Sequence, residues 1–218
     1  MDVLARLDQT RAAVNVLQHP FYERWVAGGL SAEDLASYAA QYRRAVVALA
    51  DASAAAAEAA GPEHRAGLRR HAEEERAHVA LWDRFAEACE RAARTMPGVT
   101  PVETPQSASC ARAWTAGEDL LEHLAVLYAI EASQPEIART KLEGLCAHYP
   151  YIEEGPATEY FSLHELRDVE HADAARGLIA ELIALAPDPD AQAERMLARA
   201  ATALQGNWEL LDGVEAGR

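Results

Sequence analysis

The chain has 218 residues, half of them hydrophobic, and a formal net charge of −15. That length suits one well-buried domain, and the scattered basic residues exclude the concentrated positive patch that nucleic acid or an anionic membrane requires. Three cysteines with no C-x-x-C pair exclude a disulfide framework, and no apolar run approaches the ~20 residues of a membrane span.

Alanine, leucine, glutamate and arginine dominate and alternating β-branched runs are missing, so the whole chain reads as helix. A first helix is expected over residues 2–18, ending before His19-Pro20. Gly28-Gly29 breaks the chain, and Ser31 with Asp34 opens a long helix to about Ala60. Gly61-Pro62 precedes a third helix that fades near Arg94. Residues 95–106, with three prolines, read as the longest loop. A fourth helix is expected from Ser107 to Ser133, where Pro135 interrupts it, and a short fifth runs to His148. Tyr149 to Pro156 reads as a connector to a sixth helix, which Pro187 and Pro189 end. A seventh extends through Trp208. The expectation is one all-α, seven-helix domain over residues 1–218. No basic region followed by an apolar core opens the chain, so a soluble cytoplasmic protein is expected.

Three of these helices carry unusual stripes. In the sixth, His164, Asp168 and His171 fall at offsets of 0, 4 and 7, one face of a helix with ~3.6 residues per turn. That face continues apolar through Phe161 on one side and Ala175, Leu178 and Leu182 on the other. Burying a carboxylate beside two imidazoles is costly unless something compensates charges and lone pairs, and a metal does so. The third helix repeats the pattern: Leu68, His71, Glu75, His78, Trp82, Phe85 and Cys89 are apolar at the ends and metal-competent at the centre. Glu75 and His78 make the Glu-x-x-His pair that dimetal carboxylate proteins use inside bundles. The fourth runs Leu120, Leu124, Leu127 and then Glu131.

One shared site of Glu75, His78, Glu131, His164, Asp168 and His171 follows. His71 taken alone reads more readily as a hydrogen-bonded core histidine, and the run Glu73-Glu74-Glu75 as a solvated face; the spacing to His78 lifts Glu75 out of it. Carboxylates and imidazoles without thiolate suit iron or manganese, and six ligands exceed what one catalytic zinc takes. Cys89, Cys110 and Cys146 read as packing residues.

The opening His19-Pro-Phe-Tyr22-Glu-Arg-Trp25, then Leu30-Ser-Ala-Glu, Tyr38 and Tyr42, resembles that of the thiaminase II and PQQ-synthesis proteins of the haem-oxygenase-like fold. Two later segments resemble the dimetal oxidases of that fold, in particular their p-aminobenzoate synthases. They are Tyr128-Ala-Ile-Glu131-Ala-Ser-Gln-Pro135-Glu-Ile-Ala-Arg-Thr-Lys141 and Tyr160-Phe-Ser-Leu-His164-Glu-Leu-Arg-Asp168-Val-Glu-His171. The resemblance covers most of the chain. It implies two metals held through Glu131, His164, Asp168 and His171. In the third helix the synthases place a glutamate where His71 stands, whereas related oxidases use Glu-x-x-His. Glu75 is therefore preferred, with His71 or Glu74 as the substitute.

The resemblance further implies an enzyme that consumes one of its own tyrosines to make p-aminobenzoate for folate synthesis. Tyr22 would be the sacrificed ring, Lys141 the residue implicated in supplying the amino group, and Tyr38 a second active-site aromatic, with Tyr42 beside it. The implied cofactors are two iron ions, or a mixed manganese/iron pair, with O2 and an external reductant as co-substrates. No nucleic acid or membrane partner is expected, and a homodimer is. Tyr22 beside Phe21 and Trp25 also reads as an aromatic core cluster, and Lys141 in isolation as a solvated residue. Two alternatives stay open: a dimetal oxidase acting on an external molecule such as a fatty acid or amine, and a protein that only binds a partner. Thiaminase II activity is disfavoured, because no cysteine stands in a matching context.

Overall fold

In the computed structural model, which describes residues 2–94 and 103–217, the chain forms nine α-helices and no strand among those residues. They are α1 (Val3–Ala13), α2 (Pro20–Val26), α3 (Ala32–Ala59), α4 (Pro62–Ala93), α5 (Pro105–Trp114), α6 (Leu120–Glu131), α7 (Gln134–His148), α8 (Glu159–Ile183) and α9 (Pro189–Ala216). Most of the expected 95–106 loop lies outside the described residues.

Two local signals account for nine helices in place of the expected seven. Pro20 stands at the start of a helix rather than simply ending one, since its fixed φ and missing N–H suit that position. His19 caps this α2, its Nδ1 accepting from the Phe21 N–H at 3.0 Å. The first expected helix accordingly stops at Ala13, and Val16–Gln18 form a separate 3₁₀ turn. The expected helix over Ser107–Ser133 is two: α5 ends at Trp114, and Asp119 caps α6 by accepting from the Glu122 N–H at 2.9 Å. The reading at Ser31 matches, where Ser31 and Asp34 cap each other's backbone in a closed box.

Long α3 and α4 pack along one another, α8 lies against α6 and α7, and α9 against α5 and α6. From Leu121 to Glu131 every residue of α6 is buried, as befits a largely apolar helix at the centre of a bundle. A single hydrophobic cluster threads all nine helices. Gly28 makes the turn after α2 at φ +68°, and a Cβ there would stand 2.8 Å from the His148 ring. Cys89 and Cys110 are buried as expected of packing residues, but Cys146 is exposed, on the outward face of α7. Among the described residues no helix is long and apolar enough to cross a membrane.

Candidate metal centre and adjoining aromatic cage

Three helices deliver the site because each turns its apolar stripe inward. On α4, Leu68, Glu75, His78, Trp82, Phe85 and Cys89 are buried and His71 is half-buried, so the charged centre of the stripe goes inside with its ends. His164, Asp168 and His171 are buried on α8, and Glu131 is the fully buried last residue of α6. The side chains meet as two groups sharing one residue: His71, Glu75, Glu131 and His171, and Glu75, His78 and His164, with ligand atoms within 4.8 Å of one another in each. Asp168 stands beside them, its Oδ1 3.7 Å from His171 Nδ1.

Glu75 is the hinge. Its Oε1 lies 3.2 Å from His78 Nδ1, 3.4 Å from His171 Nδ1 and 3.9 Å from His71 Nε2, and its Oε2 lies 4.0 Å from His164 Nε2. Glu131 Oε1 approaches His71 Nε2 to 2.8 Å. Burial raises the Glu75 pKa, but His164, His171 and His78 outweigh it and hold this carboxyl well below its usual range. Asp168 goes the other way, pushed well up by burial and by the Glu131 and Glu75 charges.

Buried ligand-type atoms of all seven residues lack a hydrogen-bond partner: His71 Nε2, Glu75 Oε1, His78 Nδ1, both Glu131 oxygens, His164 Nε2, both Asp168 oxygens and His171 Nδ1. Native interiors rarely leave even one such atom unpaired. Three carboxylates and four imidazoles converging with free lone pairs fit a pair of divalent cations, which would supply both the missing charge and the missing partners. One of the imidazoles is turned for it. His164 Nδ1 is 2.7 Å from the Tyr160 carbonyl, which can only accept, so Nδ1 carries the hydrogen and Nε2 offers the lone pair.

Beyond His164 lies a cage of rings. Tyr160 stacks on His164 at 3.9 Å between centroids, Trp82 stands edge-on to Tyr160 at 4.9 Å, and Tyr42 lies 5.1 Å from Trp82. Inside it sits the Lys141 ammonium group, 4.7 Å from the Tyr42 ring centroid and 5.5 Å from those of both Tyr22 and Tyr38. The Tyr22 and Tyr38 hydroxyls are 3.4 Å apart. Trp25 fixes this corner, its indole N–H donating to the Lys141 carbonyl at 3.1 Å. The close seat needs Gly144, where a Cβ would fall 2.6 Å from the Trp25 ring.

Lys141 is 1% exposed, and burial lowers its pKa to about 7. Near neutral pH much of it is therefore a free amine, a nucleophile rather than a cation. Between about pH 7 and its ordinary 10.5 the unfolded chain holds a proton that the folded chain has given up, so stability rises with pH across that window. Lys141→Met, which removes the buried amine at similar volume, is expected to be more stable than the wild type at pH 7, with up to about 5 kcal/mol at stake from the size of the shift. The gap should close as pH approaches 10.5. Urea melts of both proteins at pH 7 and 10 check it, and an unchanging gap would show that the amine is not desolvated.

Several features were hidden from spacing alone. His71 joins Glu75 rather than substituting for it. Glu74 lies outside both donor groups, its Oε2 3.1 Å from His171 Nε2 on the outer side. Trp82 reads as a stripe residue, yet with Tyr160 it forms the wall between imidazole and cage. A cleft of about 480 Å³ opens on the opposite side, lined by His71, His171, Glu74 and Arg167 and walled by Leu68 and Leu178.

The family model described as the TENA/THI-4/PQQC family matches residues 5–208. A protein from Nitrosomonas europaea named 4-aminobenzoate synthase is 31% identical, over 96% of this chain and 89% of its own length. One of the same name from Chlamydia trachomatis is 31% identical over 84% of this chain and 81% of its own. A solved domain of unknown function with a heme oxygenase-like fold, from Shewanella denitrificans, superposes with a TM-score of 0.78 at 16% identity, covering all of this chain and 93% of that one.

Proposed function

The chain belongs to the TENA/THI-4/PQQC family, and from that premise we propose that it is a p-aminobenzoate synthase that uses two bound metal ions and builds the product from its own Tyr22. The relatives named 4-aminobenzoate synthase match over most of the chain and support the product. One observation carries the mechanism: a seven-donor centre with unpaired buried lone pairs stands next to a sealed cage in which one amine faces three tyrosines.

His71, Glu75, Glu131 and His171 would hold one metal and Glu75, His78 and His164 the other, with Asp168 within reach. Bound iron, or iron with manganese, would supply activation of O2 with electrons from an external reductant. The chain's own residues do the rest. Burial keeps the Tyr22 and Tyr38 phenols protonated, their pKa values pushed well up, so each is a hydrogen-atom donor rather than a phenolate. The cage excludes water, holds the Tyr22 ring beside the Lys141 amine, and leaves much of that amine uncharged near neutral pH. An enzyme built this way turns over once or a few times, because the chain itself is the substrate.

A second reading keeps the metals and places a diffusible substrate in the cleft beside His71 and His171, whose leucine walls would favour an apolar body. Elemental analysis with peptide mass spectrometry, before and after exposure to iron, reductant and O2, separates the two. The self-consuming synthase is expected to show about two metals per chain and a mass change confined to the peptide containing Tyr22. Metals with that peptide intact would favour the cleft, and no metal after reconstitution would sink both.

A further inference from the structure

We propose that Glu74 and Arg167, which stand outside both donor groups, form a positioning pair that sets which nitrogen of His171 faces the metal centre. The inference rests on the reading of that centre as a metal site.

His171 has carboxylates on both sides competing for an imidazole hydrogen. Its Nε2 lies 3.1 Å from Glu74 Oε2, and its Nδ1 lies 3.4 Å from Glu75 Oε1 and 3.7 Å from Asp168 Oδ1. With the hydrogen on Nε2, the ring donates outward to Glu74 and presents a lone pair inward. With it on Nδ1, the ring donates to Glu75 instead, and the same two atoms are lost as ligands together. The outcome depends on how firmly Glu74 is held.

Arg167 holds it from both sides. Its Nη2 lies 2.9 Å from each Glu74 oxygen, and its Nε lies 3.1 Å from Oε2. Arg167 also pairs with Glu170, one helical turn along α8. A guanidinium clamped this way keeps Glu74 ionised and aimed at His171, whereas a free surface glutamate would swing into solvent. Both side chains line the mouth of the cleft and are more than a third exposed, so replacing them leaves the core untouched.

The test uses the full chain and cobalt(II) as the probe metal, with nitrogen NMR of histidine-labelled, metal-free protein as an independent readout. Glu74→Leu is expected to weaken cobalt binding ~10–100-fold, the range seen when such a partner of a ligating histidine is removed. It should also shift the His171 ring in the metal-free protein toward the form with hydrogen on Nδ1. Glu74→Gln keeps a carbonyl acceptor and should recover part of both effects, and Arg167→Gln should fall between. A merely structural role would lower the melting temperature without moving the tautomer. The proposal is overturned if Glu74→Leu keeps the wild-type tautomer, or if Glu74→Gln is as impaired as Glu74→Leu. Should the wild type bind no cobalt, the metal reading fails, and the tautomer shift alone decides whether the pair positions His171.

Discussion

Tyr22→Phe is expected to reduce p-aminobenzoate formation to background while leaving metal content and fold intact. The side chain is 1% exposed and packs against Phe21 and Trp25, at 5.7 and 6.3 Å between ring centroids, and phenylalanine keeps those contacts. Its hydroxyl makes one long hydrogen bond, to Tyr38 at 3.4 Å, worth about 1 kcal/mol or less. Stability should therefore barely move. The chemistry should stop, because the phenol is the oxidisable handle and the ring carbon bearing its oxygen is where nitrogen must enter as that oxygen leaves. Tyr42→Phe is the control: Tyr42 lies nearer the Lys141 amine, at 4.7 Å, so proximity alone would make it the better donor. Product quantified by chromatography after one exposure to metal, reductant and O2 decides the matter. Undiminished product from Tyr22→Phe would remove the ring from the mechanism and move the substrate to the cleft.

Glu75→Gln is expected to be the most damaging single change to metal loading. Glu75 alone belongs to both groups of donors, so its amide removes a charged ligand from each. Glu131→Gln touches one group, and should leave the His78–His164 side able to load. Of about two metal ions per chain in the wild type, Glu75→Gln should retain close to none and Glu131→Gln about one. Both amides preserve volume in the core, so circular dichroism should report an unchanged helical fold. Equal loss from the two variants would show that Glu75 does not bridge the groups, and full retention by Glu75→Gln would take it out of the ligand set.

The convergence of these donor side chains was legible because helical periodicity and burial agree. A stripe such as Leu68-His71-Glu75-His78-Trp82 has nowhere to put its polar middle except where its apolar ends go, and α4 buries both. The same holds for Phe161-His164-Asp168-His171-Ala175 on α8. What periodicity does not contain is the pairing between helices. That His71 adds to Glu75, while Glu74 one residue earlier faces outward to Arg167, depends on how α4 is rotated against α8. The helix count was missed for a smaller reason: Pro20 and Asp119 act as start signals, and a start inside a helix-rich stretch is masked by the propensity around it.

By itself, then, the sequence determined the all-helical class, the inward faces of α4, α6 and α8, and the donor types they carry, because all three follow from residue spacing along a single helix. Tertiary structure alone decided that those donors form two groups joined at Glu75, and that Lys141 sheds its proton far more readily than a solvated lysine. A lysine on α7 is an ordinary solvated cation until Tyr22, Tyr38 and Tyr42 from two other helices close around it, and only then does desolvation bring its pKa to about 7.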